Sequence, residues 1–296
     1  MPGVSFVERL ANLWDTSLHR LLRRASVETA SAVGSFVVRT NVWLHRREII
    51  AGARRNLAFH RPELTEPEIR AFIYRFLDNV GRFMGEFSVL ERIHAEGRVE
   101  MFGAAPVQAI HGTTPILTIV LHTGNWEVFG LALRDAGLPV ATFYEKPPRE
   151  AQERIVLEMR DRIGFKLLDP SPRGVRDAMT LLKRNHIVAI FGDEARDGLL
   201  MAPLFGRAPH ARGNLAIAAR MARRVGAKIV VAHSERLEGC RFKLYISEPF
   251  SLPENNDGAV ADVAFLDAKI TPAIVANLDR WYYLDDRIEQ VAAGEA

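Results

Sequence analysis

In the run ILTIVLHTGNWEVFGLAL, residues 116–133, His122 and, five positions later, Glu127 break an otherwise apolar sequence. A histidine beside a carboxylate is general-base chemistry: the acid fixes the tautomer and raises the basicity, and the free ring nitrogen takes a proton from a hydroxyl. A satisfied core histidine and a surface glutamate can show the same spacing, so the pair alone leaves both readings open. Gly124 and Asn125 suit a tight turn, and a helix starting after it would present unpaired N–H groups able to hold a developing negative charge.

Two further segments carry chemistry. In IVAIFGDEARDG an apolar run ends in Asp193 and Glu194, with Arg196 and Asp197 following. Adjacent carboxylates at a strand end are costly unless they meet a cation, a metal or a sugar hydroxyl, and a solvated turn is the competing reading. In APLFGRAPHARGN, Arg207, His210 and Arg212 lead into a helix near Gly213. Arginines beside a helix start fit phosphate or carboxylate binding, or are exposed loop charge. The chain has no Gly-x-Ser-x-Gly elbow, no Gly-x-Gly-x-x-Gly or Gly-x4-Gly-Lys phosphate loop and no His-Glu-x-x-His spacing. Base-assisted direct transfer to a hydroxyl, needing no metal or cofactor, is the economical reaction. A metal-dependent hydrolase built on His122, Asp193 and Glu194, or a non-catalytic lipid- or glycan-binding protein, are the rivals.

These residues need strands and helices to hold them. The β-branched runs 116–121, 139–144, 187–191, 228–233 and 242–247 alternate with helical patterns near 127–136, 150–163, 173–184, 213–225 and 262–280. That rhythm predicts an α/β fold with a mostly parallel central sheet flanked by helices and a late antiparallel hairpin. His122 then sits at a strand's carboxyl end, where open sheets gather ligands. Residues 1–95 read as a helical N-terminal layer and 96–296 as the catalytic core of one domain. A capping box, Thr65 to Glu68, opens a helix whose Ile69, Phe72, Ile73, Phe76, Val80, Phe83, Met84 and Phe87 form one apolar stripe, a candidate lining for an acyl groove as well as core.

At 296 residues, 48% apolar and 25% charged, the composition is that of an ordinary folded protein. The single cysteine, Cys240, excludes an internal disulfide and a cysteine-cluster metal site. No signal peptide is expected, and no run reaches the roughly 18 to 20 apolar residues that span a bilayer. Net charge is only +3, yet residues 1–60 hold nine arginines against four acids, a local net of +5. Phe6, Leu10, Leu13, Trp14, Leu18, Leu21 and Leu22 recur at helical spacing opposite Glu8, Arg9, Arg20, Arg23 and Arg24. Such a helix docks on its own domain or lies in a membrane interface.

The motifs RRNLAFHRPELTEPE (54–68), LHTGNWE (121–127), YEKPPRE (144–150), MRDRIG (159–164), FGDEARDG (191–198) and PLFGRAPHARGNLAIAARMARRVGAKIVV (203–231) occur in one order. In that order they resemble the bacterial lipid A late (lauroyl/myristoyl) acyltransferases and the related mycobacterial phosphatidylinositol-mannoside acyltransferases, over about residues 50–250. The resemblance implies a glycerolipid-acyltransferase-like fold and transfer of a fatty acyl chain from an acyl carrier protein or coenzyme A thioester, a co-substrate, to a hydroxyl of a membrane glycolipid. It implies His122 as base and Glu127 as its orienting carboxylate, with N–H groups near Asn125 and Trp126 as oxyanion donors. Arg160, Asp193 and Glu194 fall to acceptor binding or site architecture, and Arg207 and Arg212 to substrate binding. Many members start with a transmembrane helix. Here the basic amphipathic segment implies peripheral attachment to an anionic membrane, the cytoplasmic face of a bacterial inner membrane, rather than to nucleic acid. The chain also has Asp193-Glu194 where the family often has Asp-Gln, and WYYLDDR (281–287) where it often has a basic patch after a late tryptophan. These departures bear on the acceptor more than on the reaction.

Overall fold

The computed structural model describes residues 5–254 and 257–288. Four helices come first: α1 (Phe6–Leu22), α2 (Val27–His45), α3 (Arg47–His60) and α4 (Glu66–Glu86). Then follow α5 (Leu90–Ala95), β1 (Val99–Phe102), α6 (Ala104–Ile110), β2 (Ile116–Val120), α7 (Val128–Asp135), β3 (Val140–Phe143) and α8 (Glu150–Ile163). The second half holds β4 (Lys166–Leu168), α9 (Pro172–Leu182), β5 (Ile187–Phe191), β6 (Glu194–Arg196), β7 (Leu199–Ala202), α10 (Gly213–Val225), β8 (Lys228–Leu237), β9 (Arg241–Ile246) and α11 (Ala259–Ala276).

Seven strands form the central sheet in the order β1-β9-β8-β2-β5-β3-β4. Every pair is parallel except β8–β9, the expected hairpin. The mostly parallel α/β architecture with a helical N-terminal layer is therefore as the residue pattern predicts. β1, β4 and the small antiparallel pair β6–β7 are elements the pattern did not reveal.

Strand β2 is buried along its whole length because it lies between β5 and β8 with helices on both faces. Successive side chains point to opposite faces of a strand. Leu117, Ile119 and Leu121 accordingly pack with Ala218, Ala219, Met221 and Ile270 of α10 and α11, while Ile116 and Val120 join Val128, Phe129 and Leu131 of α7. Val120 of β2 is in register with Phe191 of β5. His122 and Asp193 each lie two residues past that pair, so parallel pairing alone delivers them side by side at the sheet's carboxyl edge.

Helices α2 and α4 cross at van der Waals distance through glycines. A Cβ on Gly34 would lie 2.3 Å from the Gly81 carbonyl oxygen, and one on Gly85 would lie 2.1 Å from that of Ala30. Thr65 and Glu68 form the expected cap: the Glu68 carboxylate accepts from the Thr65 N–H at 2.8 Å and its hydroxyl at 2.7 Å. The apolar stripe of α4, including Ile69, Phe72, Phe76 and Phe83, is core apart from the exposed Met84, and none of these residues lines the cavity onto which His122 opens.

Helix α1 is inverted relative to a docked amphipathic helix. Its polar side faces the protein: Asn12 accepts from the Ala151 N–H at 3.2 Å, and Asp15 pairs with Arg149 at 3.1 Å at the start of α8. Its apolar side faces out, with Phe6 75%, Leu10 51%, Leu13 63%, Trp14 59% and Leu21 66% exposed. Phe36, Trp43 and Leu44 on α2 are exposed as well. Among the described residues no helix is long and apolar enough to cross a membrane.

Candidate active site

The site begins where β2 and β5 stop. His122 Nδ1 lies 3.0 Å from Asp193 Oδ1, and the backbone N–H of His122 donates to the same carboxylate at 2.9 and 3.1 Å. Asp193 is wholly buried, and its other oxygen accepts from the indole N–H of Trp281 at 2.8 Å. A buried carboxylate is tolerated only when its lone pairs are used, and here protein donors use them. With Nδ1–H given to Asp193, the Nε2 lone pair is the one free to act as a base.

Aromatic rings set the plane of the imidazole. Phe191 stacks on it with centroids 3.9 Å apart, while Trp126 and Tyr283 meet it edge-on at 4.8 and 5.1 Å. Burial, and then the Asp193 charge, push the Tyr283 hydroxyl far above the ordinary phenol range, so it stays a neutral phenol.

Glu127 does not reach His122. Its carboxylate accepts from the Arg160 guanidinium at 2.6 Å, both groups being largely buried, and its second oxygen is buried with no partner among the described residues. Asp193, 71 positions away, occupies the place that the five-residue spacing suggested for Glu127. The physical reason is directional: Glu127 lies in the turn leading into α7, and its N–H is held by the Asn125 side chain at 3.2 Å.

Asn125 is likewise turned away from any ligand. It is fully buried, and its amide donates to Glu86 at 3.0 Å. Glu86, also fully buried, accepts two hydrogen bonds from Arg236 at 2.6 and 2.7 Å and one from Ser31 at 2.7 Å. This polar cluster beneath the turn that carries His122 ties it to α2, α4 and β8. The backbone N–H groups of Asn125 and Trp126 donate to no acceptor among the described residues; Trp126 lines the cavity onto which His122 opens, whereas Asn125 is fully buried and does not.

His122 opens onto a cavity of about 1490 Å³ that Trp126, Glu127, Arg160, Asp193 and Glu194 also line. Its walls are apolar where Phe143, Val175, Met179, Ile190, Ile217 and Met221 meet it. At α9 and α10 they become cationic through Arg176, Lys183, Arg220 and Arg224, all exposed and without a side-chain partner among the described residues. Glu194 accepts from the Asn214 N–H at 2.6 Å, satisfying the start of α10, and pairs with Arg196 at 3.2 Å.

Arg207 and Arg212 are not brought to this site. Arg207 donates to the carbonyls of Leu200, Pro203 and Leu204, each at 2.8 Å, and so holds its own turn. Arg212 is exposed at the start of α10 and does not line the cavity. Among the described residues no three His, Cys, Asp or Glu side chains converge as metal ligands, so the trio weighed for a hydrolase does not form one. The residues missed in the sequence are Trp281, Tyr283 and the cationic rim. The aromatic run at 281–283 was their only local signal.

No curated protein matches the chain in sequence. A solved structure, the 1-acyl-sn-glycerophosphate acyltransferase PlsC of Thermotoga maritima, is similar at a TM-score of 0.39 and 13% identity, over 93% of this chain and 99% of that one. The sequence model for bacterial lipid A biosynthesis acyltransferases matches residues 20–289. With nine-tenths of its length matched, the chain belongs to the bacterial lipid A biosynthesis acyltransferase family and is an acyltransferase.

Proposed function

We propose that the protein moves a fatty acyl chain from an acyl carrier protein or coenzyme A thioester to a hydroxyl of a membrane glycolipid such as a lipid A precursor. The observation that carries this reading is His122, its Nδ1 held by buried Asp193, at a cavity whose walls pass from apolar to cationic. His122 Nε2 takes the proton of the acceptor hydroxyl as its oxygen bonds to the thioester carbonyl carbon. The N–H group of Trp126, on the cavity wall, holds the oxyanion, the C–S bond then breaks, and the leaving thiolate recovers the proton from His122. Asp193 stabilises the imidazolium between the two transfers. Arg160 and Glu127 form the neighbouring wall. The thioester carries the activation, so no cofactor or metal enters the reaction.

The cationic rim fits the anionic carrier of the donor. Replacing Arg220 and Arg224 together by glutamate will raise the KM for an acyl carrier protein thioester about tenfold or more and leave kcat within about twofold, because exposed charges act mainly on encounter. The loss will shrink as salt screens the surface. A larger effect on coenzyme A thioesters than on carrier-protein thioesters would place a nucleotide at the rim instead. An unchanged KM for both would remove the rim from donor binding.

The outward apolar face of α1, beside the exposed Arg9, Arg20 and Arg24, supports peripheral binding to an anionic membrane, here assigned to the cytoplasmic face of a bacterial inner membrane. Each arginine near such a surface contributes about 1 kcal/mol. Sedimentation with phosphatidylglycerol-containing vesicles will be strong at low salt and will fall about tenfold or more in the Leu10→Glu/Trp14→Glu double variant. Equal sedimentation of the two proteins would show that α1 is not the contact. The function as a whole is tested by incubating the chain with carrier-protein and coenzyme A thioesters of several lengths and a total lipid extract, then weighing the lipids. No lipid gaining an acyl group, or equal acylation by His122→Ala, would sink the proposal.

A further inference from the structure

The segment Arg280–Tyr283 lies more than 150 residues from the catalytic turn in sequence yet is stitched to it. The Gly124 N–H donates to the Arg280 carbonyl at 2.9 Å, and the Tyr282 N–H donates to the His122 carbonyl at 2.9 Å. Thr123 and Trp281 form an isolated antiparallel bridge between those two bonds. The backbone of 280–282 thus runs as a short strap against residues 122–124. Its side chains act on the site from both sides: Tyr283 stands edge-on to His122, and Trp281, itself fully buried, donates to Asp193.

We propose that Trp281 is a positioning residue of the transfer reaction, its indole N–H locking the Asp193 carboxylate in the orientation that serves His122. This rests on the reading of His122 and Asp193 as the base and its orienting carboxylate. Asp193 has no exposed surface although it borders the cavity, and the donors to its outer oxygen come from the protein, so loss of one leaves that oxygen under-satisfied. Without the indole N–H, the carboxylate keeps only its bonds to the His122 ring and backbone N–H, and its terminal torsion, which has a broad energy well, is held less tightly. The indole is held in turn by edge-on packing against Phe205 at 5.7 Å and Tyr283 at 6.2 Å. The Trp281 ring cannot swing to follow the acid, so the acid must follow the ring.

The test removes the donor and keeps the shape. Trp281 is replaced by 3-benzothienylalanine, in which sulfur takes the place of the N–H, and separately by phenylalanine, each in the parent chain and in Asp193→Asn. In the parent, benzothienylalanine should lower kcat about tenfold to a hundredfold, the scale of one hydrogen bond to a charged group, with both KM values within about twofold. In Asp193→Asn the same exchange should cost less than about twofold, because the two groups act as one unit. A benzothienyl variant at the parental kcat, or one equally damaging in both backgrounds, overturns the assignment of Trp281. Asp193→Asn at the parental rate overturns the reading beneath it, which separates the two failures. If the phenylalanine variant fails to fold, the benzothienyl pair decides alone, since it preserves packing.

Discussion

His122→Ala will lower kcat/KM for acyl transfer by about a thousandfold, the middle of the range for loss of a positioned general base. Asp193→Asn will lose about a hundredfold or more, whereas Glu127→Gln will lose about tenfold. The order follows from contact. Asp193 touches the imidazole at 3.0 Å, and an asparagine there can turn its NH2 toward Nδ1 and stabilise the wrong tautomer. Glu127 touches Arg160 at 2.6 Å, and glutamine keeps one acceptor for that guanidinium while removing the charge. Steady-state kinetics of the three variants at saturating donor, with thermal melts to confirm folding, decide the matter. If Glu127→Gln matches His122→Ala while Asp193→Asn is mild, the orienting carboxylate is Glu127, as the five-residue spacing implied. The geometry of the described chain would then be a resting arrangement that rearranges on binding substrate.

Why that spacing misleads is a matter of distance along the chain. Strands β2 and β5 are legible as unbroken apolar runs closed by glycine-bearing turns, and both turns present acids or histidine. Which acid meets which histidine depends on β2 and β5 being neighbours in register, a fact of sheet order that neither run contains. A local pair was therefore favoured over one separated by 71 positions. The same limit hides the strap: Trp281 follows α11, and nothing in WYYLDDR says that it returns beneath β2. Strand β1 was missed because it has four residues of half-buried alternation at the sheet's edge, and β4 because it has three. Helix α1 shows a third limit. Periodicity defines two faces but not which one turns inward, and the outward apolar side follows only from polar contacts of Asn12 and Asp15 with α8.

The largest stability effect will come from the buried cluster under the catalytic turn. Arg236→Met should cost about 3–5 kcal/mol, because it removes the cation directly paired with the Glu86 carboxylate, which is 0% exposed. For a chain of this size that is a fall in melting temperature of roughly 5–8 °C. Ser31 and Asn125 still donate to Glu86, and Arg82, bonded to Ser31 at 3.2 Å, stays nearby, but none of these restores the two charged hydrogen bonds of the lost guanidinium. Glu86→Gln added to Arg236→Met removes that charge while leaving an amide oxygen for Ser31 or Asn125, and should return more than half of the loss. The cycle separates two explanations of one melt. If methionine destabilised only through lost packing, the second substitution would add its own cost and the double variant would melt lower still. If the stranded charge is the cause, the double variant melts higher than the single one. Activity supplies a second reading of the same cycle. Asn125 holds the Glu127 N–H in the turn that carries His122, so its hold on the turn depends on how firmly Glu86 holds it. The double variant should therefore recover stability further than it recovers kcat, since a neutral glutamine anchors Asn125 less firmly than the carboxylate does.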